Sequence, residues 1–115
     1  MPLVEVTYRP STSEATLREL ASCLPDAVSV AVQCADEPYE PPLEPGDVEI
    51  RFRELGRYDV SGMDVVVEVR SKWFPDRAED RQQRCDLLRD LLTERTGIGV
   101  LGVYVSLPVA AWAHT

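Results

Sequence analysis

The sequence predicts an α+β fold made of two β-α-β halves, with a four-stranded mixed sheet and two helices on one face. Three observations lead there. Hydropathy periodicity gives the order strand, helix, strand, strand, helix, strand. The segment Val4-Glu5-Val6 is echoed by Val67-Glu68-Val69, each followed by a polar turn and a capped helix. The length, 115 residues, fits a single domain over 1–115 with halves at about 1–55 and 63–107. A strand–helix–strand crossover implies parallel pairing within each half and both helices on the same face.

Leu3–Tyr8 alternates with period two and is rich in β-branched residues, so it predicts the first strand. Ser11 with Glu14 has capping-box spacing and opens a helix whose apolar stripe includes Leu17, Leu20, Leu24, Val28 and Val32. Pro25 interrupts this stripe, kinking one helix or starting a second. Val28, Val30 and Val32 also alternate, so residues 27–33 read as helix or strand, with helix favoured. Asp36–Gly46 holds four prolines and four acidic residues and reads as a stiff surface connection.

Val48–Leu55 is the second strand, with Ile50 and Phe52 on one face and Arg51 and Arg53 on the other. Gly56–Gly62 is a turn region. Met63–Arg70 carries the run Val65-Val66-Val67 and reads as a central strand. Asp76 and Glu79 open a second helix over Arg77–Thr96, closed by Gly97, and Val100–Leu107 is the last strand.

Composition narrows the function. A net charge of −8 argues against nucleic acid and anionic membrane partners, while leaving room for a small anion in a local basic pocket. Cys23, Cys34 and Cys85 form an odd set without a CxxC pair and read as reduced thiols of a cytoplasmic protein. The sole histidine, His114, lies beside the C-terminus, against a His-based metal site or a Ser/His/Asp triad. Residues 98–113 are uncharged but interrupted by Gly99, Gly102 and Pro108 and too short to span a bilayer; no signal-peptide pattern opens the chain.

The start Met1-Pro2-Leu3-Val4-Glu5-Val6 resembles the tautomerase superfamily, whose members begin with Met-Pro and a strand. Pro42-Leu43 before Val48-Glu49-Ile50 resembles the second-strand entry of 4-oxalocrotonate tautomerases. Ile50-Arg51-Phe52-Arg53, Tyr58 and Arg81-Gln82-Gln83 are similar to the 5-carboxymethyl-2-hydroxymuconate isomerases. Val103-Tyr104-Val105-Ser106 and Trp112 resemble the last strand and tail of macrophage migration inhibitory factor. Asp76 replaces the usual Gly before the helix arginine, and the Asp36–Gly46 connection exceeds the isomerase pattern.

The resemblance implies a tautomerase-like duplicated β-α-β protein acting without metal or organic cofactor on a small 2-oxo or 2-hydroxy unsaturated carboxylic acid. Pro2, freed by loss of Met1, is a secondary amine able to act as general base and acid when its pKa lies near the working pH. Arg51, Arg53 and Arg77 are the candidate carboxylate and enolate binders, because a guanidinium fork matches a carboxylate. Tyr104 is a candidate donor to the enolate oxygen. The resemblance further implies a homotrimer whose pockets borrow residues from a neighbour. A hydratase or decarboxylase, or a non-catalytic interaction protein, would use the same scaffold.

Overall fold

The structure, a computed structural model, describes residues 1–34 and 42–115. The part of the Asp36–Gly46 connection at 36–41 therefore lies outside the described residues. Four strands, β1 (Leu3–Tyr8), β2 (Glu49–Glu54), β3 (Val65–Arg70) and β4 (Leu101–Ser106), form one sheet in the order β2-β1-β3-β4. β1 and β2 pair parallel, as do β3 and β4, and β1 meets β3 antiparallel. The sheet is thus mixed, with one β-α-β unit on each side of its centre.

The echoed triplets are the centre. Val4 pairs with Val69, Glu5 with Glu68 and Val6 with Val67, so the internal repeat lies across a pseudo-twofold passing between the two glutamates. Period two sends Val4, Val6, Val65, Val67 and Val69 to one face, where all are buried. On that face lie α1 (Glu14–Ala31) and α3 (Arg81–Thr96). Leu20, Leu24 and Val28 of α1 and Leu88 and Leu92 of α3 complete the core. Val67 is fully buried on a central strand. Val67→Ala is expected to lower unfolding free energy by about 2 kcal/mol, from two lost methyl groups plus the cavity left behind, read as a lower denaturant midpoint at unchanged slope.

Helix α1 is capped by Ser13 rather than Ser11. The Ser13 side chain accepts from the Thr16 backbone N–H at 3.1 Å, which moves the start two residues on. The helix continues through Pro25 to Ala31. Burial of Leu24 and Val28 on either side of the proline offsets the missing backbone bond. Helix is the outcome for residues 27–31. Val28 and Val32 are fully buried while Val30 between them is 52% exposed, which fits a period of 3.6 and not of two.

The second helical region differs more. It begins earlier, as α2 (Pro75–Glu79) with Pro75 in its first turn, and is broken at Asp80 (φ −110°, ψ 30°) before α3. The Asp80 carboxylate accepts from Arg84 Nε at 2.5 Å, which holds the break. Gly97 ends α3 in the left-handed conformation (φ 69°), as its position predicts. All four strands lie within their predicted spans, trimmed by up to two residues at the ends.

Candidate functional site

The sheet has a second, uncovered face. Its cross-strand rows follow from the register. One runs Arg51, Glu5, Glu68, Tyr104; the next runs Arg53, Thr7, Val66, Gly102; the third runs Glu49, Leu3, Arg70, Ser106. Arg51, Arg53 and Tyr104 therefore share this face and are exposed. Arg53 Nε lies 3.4 Å from the Glu5 carboxylate. The Arg51 side chain has no hydrogen-bond or ion-pair partner among the described residues. Arg51 and Tyr104 belong to one row but sit on opposite edge strands, three strand spacings or about 14 Å apart.

Pro2 lies elsewhere. It is buried at the head of β1, on the parity of Val4 and Val6, hence toward the helix-covered face. Its carbonyl accepts from the Glu49 backbone N–H at 3.0 Å. One step beyond the Leu3–Arg70 pair, Pro2 comes beside Ser71, itself buried. One chain thus does not bring Pro2 together with Arg51, Arg53 or Tyr104.

Arg77 is at the Pro2 end but in an unforeseen setting. The side chain is fully buried, with Nε donating to Val32 O at 2.8 Å and Nη1 to Lys72 O at 2.6 Å. Its guanidinium joins the end of α1 to the loop after β3. Arg84, which sequence reasoning missed, holds the same helix end from α3. Its Nη1 donates to Ala31 O at 3.2 Å and to Gln33 O at 2.5 Å. α1 has no basic residue in its own last turn; Arg84 of α3 donates to its last carbonyl, Ala31 O, and Arg77 of α2 to that of its C-cap, Val32. A signal was present, since Arg84 shares the inward stripe with Leu88 and Leu91, four and seven residues on. Gln33 adds a two-way clamp, its amide donating to Leu43 O and accepting from Leu43 N, both at 3.0 Å.

A groove of about 620 Å³ runs between the outer edge of β4 and α2–α3, lined by Arg81, Gln82, Cys85, Tyr104 and Ser106 among others. The Cys85 thiol donates to Val103 O at 3.2 Å. Burial pushes this thiol above its ordinary pKa and neighbouring Asp86 adds to the rise, so it stays protonated at neutral pH and is no activated nucleophile. Burial likewise raises Cys23. Among the described residues no cluster of His, Cys, Asp or Glu has metal-site geometry. Among them, too, no helix is long and apolar enough to cross a membrane. Trp73 and Trp112 are both about half exposed, as aromatic surface beside the Pro2 end and on the tail.

No family model matches the chain, and no curated protein sequence does. Solved structures do. The fused 4-OT symmetric trimer superposes with a TM-score of 0.60 at 17% identity, covering 92% of this chain and 85% of that one. A macrophage migration inhibitory factor-like protein from Entamoeba histolytica gives 0.61 at 13% identity, covering 99% and 95%. Malonate semialdehyde decarboxylase gives 0.61 at 16% identity, covering 98% and 90%. These neighbours are tautomerase-superfamily proteins, and this chain has their fold.

Proposed function

We propose that the protein is a cofactor-independent tautomerase or isomerase that moves a proton on a small 2-oxo or 2-hydroxy unsaturated carboxylic acid. The observation that carries this reading is the burial of Pro2 at the head of a central strand, its carbonyl pinned by Glu49. With Met1 attached, the Pro2 nitrogen is an amide and has no basicity. With Met1 removed it becomes a secondary amine in a desolvated position, where burial disfavours its protonated form and lowers its pKa toward neutrality.

Arg51 is the substrate-carboxylate fork, because it has no partner within the described chain. Arg53, already near Glu5, is its second. Tyr104 donates to the enolate oxygen. All three lie on the open sheet face, so their meeting with Pro2 requires a second copy, and a homotrimer supplies it. Arg77 contributes its charge from the buried side. The finer likeness to the 5-carboxymethyl-2-hydroxymuconate isomerases rests on Ile50–Arg53, Tyr58 and Arg81–Gln83. The setting is cytoplasmic.

The test starts with the intact mass, to establish whether Met1 is present. Ketonisation of 2-hydroxymuconate or phenylenolpyruvate is then followed by absorbance. Turnover is expected from the Met1-processed protein and not from the Met1-retaining form; equal rates from both would defeat the reading. The likeness to malonate semialdehyde decarboxylase supports a second reading, in which a protonated Pro2 drives decarboxylation or hydration. Carbon dioxide release from malonate semialdehyde, without ketonisation, would select it.

A further inference from the structure

Pro2 is bracketed by two backbone arms, and both end on Val32 and Gln33, just past the C-terminus of α1. The first arm is the entry to β2. Glu49 N–H holds Pro2 O, and Glu49 follows a 3₁₀ turn, Pro45–Asp47, closed by Asp47 accepting from Glu44 N at 2.9 Å. Leu43, just ahead of that turn, is gripped through both its N–H and its carbonyl by the Gln33 amide. The second arm is the loop after β3. Ser71 flanks Pro2, and Lys72 O is held by Arg77, which also holds Val32 O.

Both arms converge on Val32 and Gln33, and Arg84 fixes that point. Its side chain is only 16% exposed, and it bridges Ala31 O, Gln33 O and the Asp80 carboxylate. Three acceptors around one planar guanidinium set position and orientation together, which an ammonium group does not reproduce. Arg77 in α2 and Arg84 in α3 lie on either side of the break at Asp80, and both donate to carbonyls at the end of α1.

We propose that Arg84 is a positioning residue for the Pro2 centre: it anchors the last turn of α1, and through Gln33 and Leu43 it fixes the segment that holds the Pro2 carbonyl. The effect on reaction rests on the tautomerase reading above; the positioning itself does not.

Amide hydrogen exchange and ketonisation kinetics test it, using Met1-processed wild type, Arg84→Met, Arg84→Lys and, as a surface control, Arg89→Met. In Arg84→Met the Leu43 and Glu49 amides are expected to exchange about tenfold faster or more, while Val6 and Val67 stay within about twofold. Arg84→Lys, which keeps the charge, is expected to recover only part of the protection. The same Met variant is expected to lose about 10–100-fold in kcat with KM changed less than about threefold, as misplacement of a reacting group does. Unchanged protection at Leu43 and Glu49, or uniform acceleration at every amide, would overturn the proposal. A wild type without ketonisation would remove the tautomerase reading alone, because the exchange pattern still decides whether Arg84 positions the Pro2 end. Should Arg84→Met fail to fold, the Lys variant carries the same comparison.

Discussion

Pro2→Ala in the Met1-processed protein is expected to lower the ketonisation kcat by about 10²–10⁴-fold, the range general acid–base catalysis contributes. The substitution leaves a terminal amine but changes its nature. A primary α-amine titrates at about 7.7–8.0, the usual range for a chain terminus. It also lacks the ring that fixes rotation about the N–Cα bond and aims the nitrogen lone pair. Without the ring the amine rotates freely about its N–Cα bond, and alignment with the substrate proton is lost. KM should move little, since Arg51 and Arg53 are on the other sheet face and are untouched. The measurement is a set of progress curves at several substrate concentrations, with circular dichroism to show an unchanged fold. A Pro2→Ala protein as fast as wild type would end the proline mechanism while leaving the fold intact.

How much of this was legible in the sequence depends on the type of signal. Alternation placed all four strands, and the Val-Glu-Val echo anticipated a pseudo-symmetric pair, because strand period and face are local properties of the sequence. Cap residues fared less well. Ser11 and Ser13 both offer an oxygen ahead of the same helix, and only the backbone geometry at Ser13 selects between them. Residues 27–31 are ambiguous in sequence because Val28 and Val32 fit a helical stripe and, with Val30 between them, also alternate; packing against the sheet decides for helix. The arginines were hardest. Arg77 and Arg84 are charged, and charge in a sequence suggests a solvated face or a ligand. Their actual partners include backbone carbonyls, which have no signature in a sequence. Arg51 and Arg53 both lie on the exposed strand face that alternation predicts, and the Arg51 side chain has no partner among the described residues. What a single chain does not contain is the meeting of that face with Pro2. The register shows why: Pro2 points to the helix layer, and Arg51, Arg53 and Tyr104 point away from it.

Arg77→Met is expected to cost about 2–4 kcal/mol of stability, because it removes the buried bond to Val32 O, at about 1–3 kcal/mol for a buried acceptor that loses its donor, and the part-buried bond to Lys72 O, which is worth less. Methionine matches the stem as far as Nε but not the guanidinium, so the loss combines the missing hydrogen bonds with the space the guanidinium filled. Arg77→Lys should recover some of the loss by donating to one carbonyl at a time, but its flexible ammonium does not span both in fixed geometry. Urea denaturation measures the order wild type, then Lys, then Met. The comparison also separates two uses of this residue. If Arg77 served chiefly to contact the substrate, Met would leave the denaturation midpoint near wild type and raise KM. If it serves chiefly to lock α1 to the loop beside Pro2, the midpoint falls first, and the surviving folded fraction binds substrate with a KM close to wild type. The buried guanidinium and its carbonyl partners favour the second outcome.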